Sequence, residues 1–207
     1  MTMTSLLSQI LPPEAPTQKP DASLTESRQI MARQSEQMIP TFETENLILR
    51  APRADDLNAI AAFFQSVRSH MVGGPKDRHD SWRVLCTSLG HWALRGYGMW
   101  HVVEKSSGTS VGSVGIINHE GWDEPELGWH VYDGFEGKGY AFEAAKAARA
   151  YTAEHFGLDA VISYIDPTNS RSLALAKRLG ATFERFGQVM GHPCHVYRHP
   201  SAGGANV

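Results

Sequence analysis

The hydrophobic positions of the chain follow two spacings, one typical of helices and one typical of strands. Apolar residues three or four positions apart predict helices that begin at about Asp55 and Arg78 and end near His70 and Arg95. Further helices are predicted over 138–155 and 169–179. Short β-rich runs bounded by turn residues predict strands over 47–52, 99–104, 110–118, 126–132, 160–165, 182–186 and 194–199. Runs of strands joined by one strand–helix–strand crossover indicate an α+β or mixed α/β sheet.

The first forty residues differ from the rest, because prolines at 12, 13, 16 and 20 interrupt regular structure. Residues 1–22 are predicted to be an extended or mobile arm, and Ser23 to Gln37 a short polar helix. The arm is either a solvated tail or a partner-binding segment. The sequence therefore predicts an N-terminal arm over 1–40, one domain over 41–200 and a C-terminal tail over 201–207.

The composition and charge of the chain restrict which partners and which cellular setting are expected. A net charge of −3 and a pI near 6.4 offer no basic surface for nucleic acid. The two cysteines, Cys86 and Cys194, show no metal-ligand spacing and favour a reducing, cytoplasmic setting. Cys86 lies in an apolar helical stretch and is predicted to be in the core. No apolar run reaches membrane-spanning length, so no membrane partner is expected.

A glycine-rich turn joins the strand that ends near Tyr132 to the helix that follows. The turn reads Glu136-Gly137-Lys138-Gly139-Tyr140-Ala141. Two glycines allow a sharp turn and close approach of a ligand, and the helix presents unpaired N–H groups there. Such a turn suits a phosphate or pyrophosphate, with Lys138 adding a cation. The alternative is a tight connection that binds nothing.

Three segments in this order resemble the GNAT acetyltransferase superfamily. They are Glu126-Leu127-Gly128-Trp129-His130-Val131, then Gly137-Lys138-Gly139-Tyr140-Ala141 with Glu143-Ala144, then Asp166-Pro167-Thr168-Asn169-Ser170-Arg171-Ser172 with Lys177-Arg178-Leu179-Gly180-Ala181. The resemblance covers about residues 42–199 and is closest to the ribosomal-protein-alanine N-acetyltransferases (RimJ/RimL-like). It implies a GNAT-like acyl-CoA N-acyltransferase fold, in which helices flank a central, twisted and mostly antiparallel sheet.

The resemblance also implies residues that bind acetyl-CoA, with no metal. The pyrophosphate would lie on Gly137, Lys138, Gly139, Tyr140 and Ala141, and the pantetheine arm along Trp129, His130 and Val131. Asn169 would hydrogen-bond the pantetheine region, or cap its helix, or do both. Glu136 departs from the Gln or Arg of the family's pattern, and its carboxylate would weaken binding unless it points away from the phosphates.

Acetyl transfer to an amine requires a base, a donor to the carbonyl oxygen and a proton for the departing thiolate. Glu126 and His130 are alternative bases on one face of the same strand. By the resemblance, Ser172 would protonate the CoA sulfur, and the N–H of Val131 would serve the carbonyl oxygen. The alternative for Glu126 is a solvent-facing strand carboxylate, and the alternative for Ser172 is a helix serine that contacts nearby backbone.

The acceptor is less constrained by the sequence. The two predicted helices over 55–95 and a loop from Gln188 to Pro193 are expected to wall its groove. The resemblance implies direct transfer from acetyl-CoA to a small-molecule amine or a protein N-terminal amine, and it is compatible with a homodimer. Two alternatives remain: an acyl-CoA-binding module without catalysis, suggested by Glu136, and transfer of a larger acyl group.

Overall fold

The computed structural model describes residues 22–201, and the chain separates into two compact units between Ser35 and Glu36. Helix α1, Ala22–Gln37, confirms the polar helix predicted from Ser23. The predicted arm up to residue 21 and the tail from residue 202 lie outside the described residues.

Within the described residues the second unit has one sheet of eight strands. The strands are β1 Phe42–Glu43, β2 Leu47–Arg50, β3 Met99–Glu104, β4 Ser110–Ile117, β5 Glu126–Val131, β6 Ile162–Ile165, β7 Thr182–Val189 and β8 His192–Arg198. Their order is β1-β2-β3-β4-β5-β6-β8-β7. All neighbours are antiparallel except β5 and β6, which are parallel. The predicted mixed α/β, mostly antiparallel sheet is confirmed.

Helices cover both faces of this sheet. They are α2 Leu57–Gln65, α3 Arg78–Arg95, α4 Tyr140–Phe156 and α5 Ser170–Arg178, with 3-10 turns at Ala54–Asp56 and Val67–Val72. We call the face that carries Glu126 and His130 the front face, where α2 packs through Phe63. We call the opposite face, with Leu127 and Trp129, the back face, where α4 and α5 pack.

The centre of the core lies between the back face and α4. Three alanines of this helix, Ala144, Ala145 and Ala148, are at most 2% exposed and pack in one cluster with Leu49 and Leu127. Their small side chains allow the helix axis to approach the strands closely. The N-terminus of α4 is thereby held beside the end of β5, where the glycine turn lies.

The predicted helix over 55–70 was wrong in its length, since α2 ends at Gln65. Ser69 explains the interruption, because its hydroxyl donates to the carbonyl oxygens of Phe64 at 2.9 Å and Ser66 at 2.8 Å. A serine that bonds nearby carbonyls competes with the helical hydrogen-bond pattern.

Two further predictions were also wrong. Gln188 to Pro193 is not a loop but a β7–β8 hairpin, whose two-residue turn, Met190-Gly191, has positive φ at both positions as tight hairpins require. Cys86 is exposed rather than in the core. The inward face of α3 is set by Leu85 and Trp92, and Cys86 lies one position round the helix from Leu85.

Candidate active site

The glycine turn has an open, ligand-accessible shape. Gly137 and Gly139 have φ of 74° and 85°, which favour glycine, and a Cβ on either would meet no heavy atom within 4 Å. Gly139 is the N-cap of α4, so no side chain accepts hydrogen bonds from the first N–H groups of the helix. The turn thus combines unpaired donors with the positive end of a helix dipole, and it fits a pyrophosphate.

Glu136, the departure from the family pattern, points its carboxylate away from these donors. It accepts a hydrogen bond from Gly134 N–H at 2.8 Å and forms an ion pair with Arg68, which also contacts Asp133. Arg68 belongs to the Val67–Val72 turn on the far side of this carboxylate. The negative charge of Glu136 is therefore compensated by a cation from another element.

Lys138 lies over aromatic rings instead of extending freely. Its Nζ is 4.7 Å from the centroid of the Phe135 ring and 3.9 Å from the Glu104 carboxylate. Tyr140 donates from its hydroxyl to the same carboxylate at 2.5 Å. Ala141 follows Tyr140 in the first turn of α4 and is half-buried.

The gap between β5 and β6 begins after a single pair. The two strands are joined at Glu126 and Ile162, with Ile162 N–H donating to Pro125 at 3.3 Å, and no further pair follows among the described residues. Alternation along β5 directs the backbone groups of Trp129 and Val131 toward β6. They therefore face a gap where main-chain partners are missing.

The two alternative bases lie on the front face in different surroundings. Burial raises the pKa of the Glu126 carboxyl to about 8, although Tyr164 N–H donates to its Oε1 at 3.1 Å and partly offsets this. The ring of His130 stacks on Phe63 with centroids 4.8 Å apart, and burial lowers its pKa to about 4. Glu126 is the group whose pKa lies near neutral pH.

Ser172 and Asn169 lie together at the start of α5. Asn169 Oδ1 accepts from the Ser172 backbone N–H at 3.1 Å, so the capping role is present. The indole N–H of Trp129 donates to the Ser172 hydroxyl oxygen at 3.3 Å. Because a hydroxyl has one proton to donate, this contact leaves the Ser172 O–H available to another acceptor.

The predicted site residues thus form three groups along one path. The glycine turn lies at one end, and the backbone of Trp129 to Val131 runs along the gap. Where the gap opens, Glu126 lies on the front face and Ser172 on the back face. His130 is close in sequence but is covered by Phe63.

Comparison with known proteins identifies the family. Residues 46–182 match the family described as "Acetyltransferase (GNAT) domain", about two thirds of the chain. The chain belongs to the GNAT acetyltransferase family. Within the described residues this acetyltransferase has no group of three or more His, Cys, Asp or Glu side chains that could hold a metal ion, and no helix long and apolar enough to cross a membrane.

Individual relatives agree with this assignment. The crystal structure of an acetyltransferase from Agrobacterium tumefaciens str. C58 is 38% identical, with a TM-score of 0.73 over 78% of this chain and 94% of that one. RimL, a ribosomal L7/L12 alpha-N-protein acetyltransferase solved with coenzyme A, shares the fold at 16% identity and a TM-score of 0.66, over 78% of this chain and 98% of that one. An uncharacterized protein, YkkB of Bacillus subtilis (strain 168), is 29% identical over 52% of this chain and 64% of its own length. The chain therefore spans less than two thirds of this curated relative.

Sequence reasoning missed several residues that shape the site of this acetyltransferase. Arg68 compensates Glu136, and Ser163, His199 and Arg149 form a hydrogen-bond chain beside the gap. The only sequence signal was a serine inside the apolar run Val161-Ile162-Ser163-Tyr164-Ile165. A polar residue on the buried face of a strand requires a hydrogen-bond partner, and that requirement marks the position.

The free energy of unfolding of this acetyltransferase is expected to be largest near pH 6.5. Burial lowers the pKa values of His101, His130 and His199 to about 4, whereas an unfolded chain titrates them near 6.5. The unfolded state then binds more protons below pH 6.5, so stability falls toward pH 4. Glu126 acts oppositely, because its pKa of about 8 lies above the unfolded value of 4.5: its contribution to stability is lost progressively between these two pH values and outweighs the histidines above about pH 6.5. Urea unfolding between pH 5 and 8 measures the free energy of unfolding on both sides of this maximum.

Because three histidines act against one carboxyl, the free energy of unfolding should change more steeply below pH 6.5 (the acid limb) than above it, by roughly 2 kcal/mol per pH unit. Glu126→Gln is the control, and it should abolish the decline above pH 6.5 while the acid limb persists. Stability that keeps rising from pH 6.5 to 8 in the unmodified protein would contradict the raised pKa of Glu126.

Proposed function

We propose that the protein transfers the acetyl group of acetyl-CoA directly to a primary amine, with both substrates bound at once. The observation that carries this proposal is the β5–β6 gap, which opens after one pair and has Glu126 on one face and Ser172 on the other. Family membership supports acetyl transfer, and the open glycine turn supports CoA as the donor.

Each reacting group has a candidate in this arrangement. The amine nitrogen attacks the thioester carbonyl carbon, a C–N bond forms and the C–S bond breaks. Glu126 accepts the proton released by the amine, directly or through a water molecule, and its pKa of about 8 suits that task. Ser172 donates its hydroxyl proton to the departing sulfur and regains a proton from solvent as Glu126 releases its own, while the N–H of Val131 stabilises the negative charge on the carbonyl oxygen.

The cofactor-binding residues have distinct proposed roles. Trp129 and Val131 hydrogen-bond the pantetheine arm through their backbones, much as an added strand would. His130 contributes only its backbone, because its ring is stacked on Phe63. The amide nitrogen of Asn169 has no partner among the described residues and can donate to a pantetheine carbonyl while Oδ1 caps α5. Gly137 to Ala141 bind the pyrophosphate, with Lys138 as the cation.

The proposed acceptor is a protein N-terminal amine, and a small-molecule amine is the other class to be screened. RimL, which shares this fold, is an alpha-N-protein acetyltransferase. We also propose a cytoplasmic location, where acetyl-CoA and reduced thiols are expected.

Calorimetric titration with acetyl-CoA, CoA and desulfo-CoA tests the donor site, and a screen of peptide N-termini and small amines by mass spectrometry tests transfer. Micromolar or tighter binding with acetylation of an amine supports the proposal. Tight binding without transfer to any amine would favour a non-catalytic acyl-CoA-binding module. Stronger competition by longer acyl-CoAs would indicate a larger acyl group.

Arg68→Ala is expected to weaken acetyl-CoA binding about two- to fivefold, as befits a partly exposed ion pair. Without Arg68, the Glu136 carboxylate is free to approach the pyrophosphate and repel it. Calorimetry at low and high salt measures the loss, which should shrink as salt screens the charges.

The control for this variant is the double substitution Arg68→Ala/Glu136→Gln. It should recover the affinity of the unmodified protein, because the repelling charge is gone. Equal weakening in the single and double variants would show that Arg68 itself binds the cofactor.

A further inference from the structure

The point at which β5 and β6 separate is defined by one ladder hydrogen bond that does not form. Bonds between parallel strands are evenly spaced. After Ile162 N–H donates to the Pro125 carbonyl, the next bond that β6 would donate joins Tyr164 N–H to the carbonyl of Leu127. Neither group makes that bond, and the strands part at this position.

Two side chains take the place of the missing bond, one from each face of the sheet. On the front face, Glu126 Oε1 accepts from Tyr164 N–H at 3.1 Å. On the back face, the hydroxyl of Ser163 donates to the Leu127 carbonyl at 2.6 Å. Both main-chain groups are therefore satisfied while the strands remain apart, so the gap begins here at no cost in unpaired polar groups.

The direction of the Ser163 hydrogen bond is fixed by a chain of donors behind it. Arg149 can only donate, and its Nη1 lies 3.3 Å from His199 Nδ1, which must accept. The proton of His199 is then on Nε2, which lies 2.9 Å from Ser163 Oγ and donates to it. Ser163 must direct its own proton to Leu127. His199 and Ser163 are at most 1% exposed, and burial holds His199 neutral by lowering its pKa to about 4.

We propose that Ser163 is a positioning residue for acetyl transfer, which sets where the gap opens and keeps Tyr164 N–H available to Glu126. The proposal rests on the proposed function, in which Glu126 is the base. Without the Ser163 hydroxyl, the Leu127 carbonyl is left without its donor, and Tyr164 N–H is the nearest ladder partner for it. Forming that bond would move the point of separation along the strands and would remove the hydrogen bond that Tyr164 N–H donates to the Glu126 carboxylate.

The hydrogen-bond chain through His199 also reaches Ser172, the proposed reacting group on the back face. The ring of His199 meets the Trp129 indole edge-on, with centroids 6.3 Å apart, and this indole donates to Ser172. The half-buried Arg149 and the buried His199 thus support the orientation of both flanking groups, through Ser163 on one side and Trp129 on the other.

Ser163→Ala tests the proposal. We expect the Glu126 carboxyl to titrate at higher pH, because its charged form loses a hydrogen bond, and kcat at pH 7 to fall about five- to tenfold with a smaller change in the KM of acetyl-CoA. The titratable side chains that the Glu126 charge affects are Tyr164 on β6 and Cys194 on β8, and both should respond with it. Carbon-13 NMR of the Glu126 carboxyl gives its pKa directly.

Three variants complete the experiment. Ser163→Thr keeps the hydroxyl and should retain the original titration of Glu126. Ser81→Ala removes an equally buried serine hydroxyl, which donates to the Asp77 carbonyl at 2.7 Å, and should leave the Glu126 pKa unchanged. His199→Phe preserves a ring beside Trp129 but frees the Ser163 proton, so it should shift Glu126 in the same direction as Ser163→Ala even if the alanine variant does not fold.

The outcomes separate this proposal from the proposed function. A Glu126 titration that moves in Ser163→Ala and His199→Phe but not in Ser81→Ala supports positioning by Ser163, whether or not an acceptor has been found. An unchanged titration and unchanged kcat in both variants would overturn it while leaving acetyl transfer intact.

Discussion

Replacing Glu126 by glutamine is expected to lower kcat at pH 7 by about 10²- to 10³-fold, the usual contribution of a general base, with little change in the acceptor KM. Glutamine has the same shape, and its Oε1 can still accept from Tyr164 N–H, so the point at which β5 and β6 separate is preserved. The substitution therefore removes the proton acceptor and little else. Steady-state kinetics with an identified acceptor measures the effect.

The pH profile makes this prediction specific to the carboxyl. In the unmodified protein kcat should rise with pH and level off above about 8, because only the ionised form of Glu126 accepts a proton. The Glu126→Gln variant should lack this rise. A profile that keeps its rise in the variant would assign the pKa to another group.

His130→Ala is the matched comparison for the base. It should change kcat far less, because the His130 ring is covered by Phe63 and its lowered pKa makes it a weak base at pH 7. Loss of the stacked ring should instead appear as reduced stability. A large fall in kcat with His130→Ala and a small one with Glu126→Gln would transfer the role of base to the histidine.

The second large effect concerns the cofactor. Gly139→Asp is expected to weaken acetyl-CoA binding by about 10- to 100-fold, because the new carboxylate occupies the end of α4 that should receive the pyrophosphate. The loss of stability should be small, about 1 kcal/mol, because aspartate tolerates the left-handed backbone of this position better than most residues do. Calorimetry and thermal unfolding on the same sample measure affinity and stability together.

Gly157→Asp is the control at the other end of the same helix. Gly157 is also a left-handed cap, with φ of 66°, and a Cβ there meets nothing within 4 Å. Its charge opposes the helix dipole, so this variant should be less stable but bind acetyl-CoA normally. Equal binding losses in the two variants would show that Gly139→Asp acts through backbone strain and not through the anion site.

Local patterns predict the conformation of the glycine turn and the cap of α5. Gly137 and Gly139 between a strand and an alanine-rich helix indicate an anion site from a dozen neighbouring residues, and Asn169 before α5 is a recognisable cap. The hydrophobic spacing likewise gave the order of strands and helices. These features depend on residues close together in the chain.

The remaining features depend on contacts between distant segments. The orientation of Glu136 is decided by Arg68, which reaches it from the turn after α2. Glu126 and His130 were equivalent alternatives in the sequence, and only the packing of Phe63 against His130 distinguishes their surroundings. Ser163 has its partner in His199, 36 residues further along the chain, and no sequence motif marks such a pair.

Because Glu126 and Ser172 lie on opposite faces of the sheet, the β5–β6 gap is an opening, or window, that connects these two faces. In the proposed reaction CoA occupies one side and the amine approaches from the other, so the two reactants do not compete for volume. The bulk of an acceptor can then remain in solvent while only its terminal amine enters the window. In this arrangement an acetylated product can leave on the acceptor side without passing CoA.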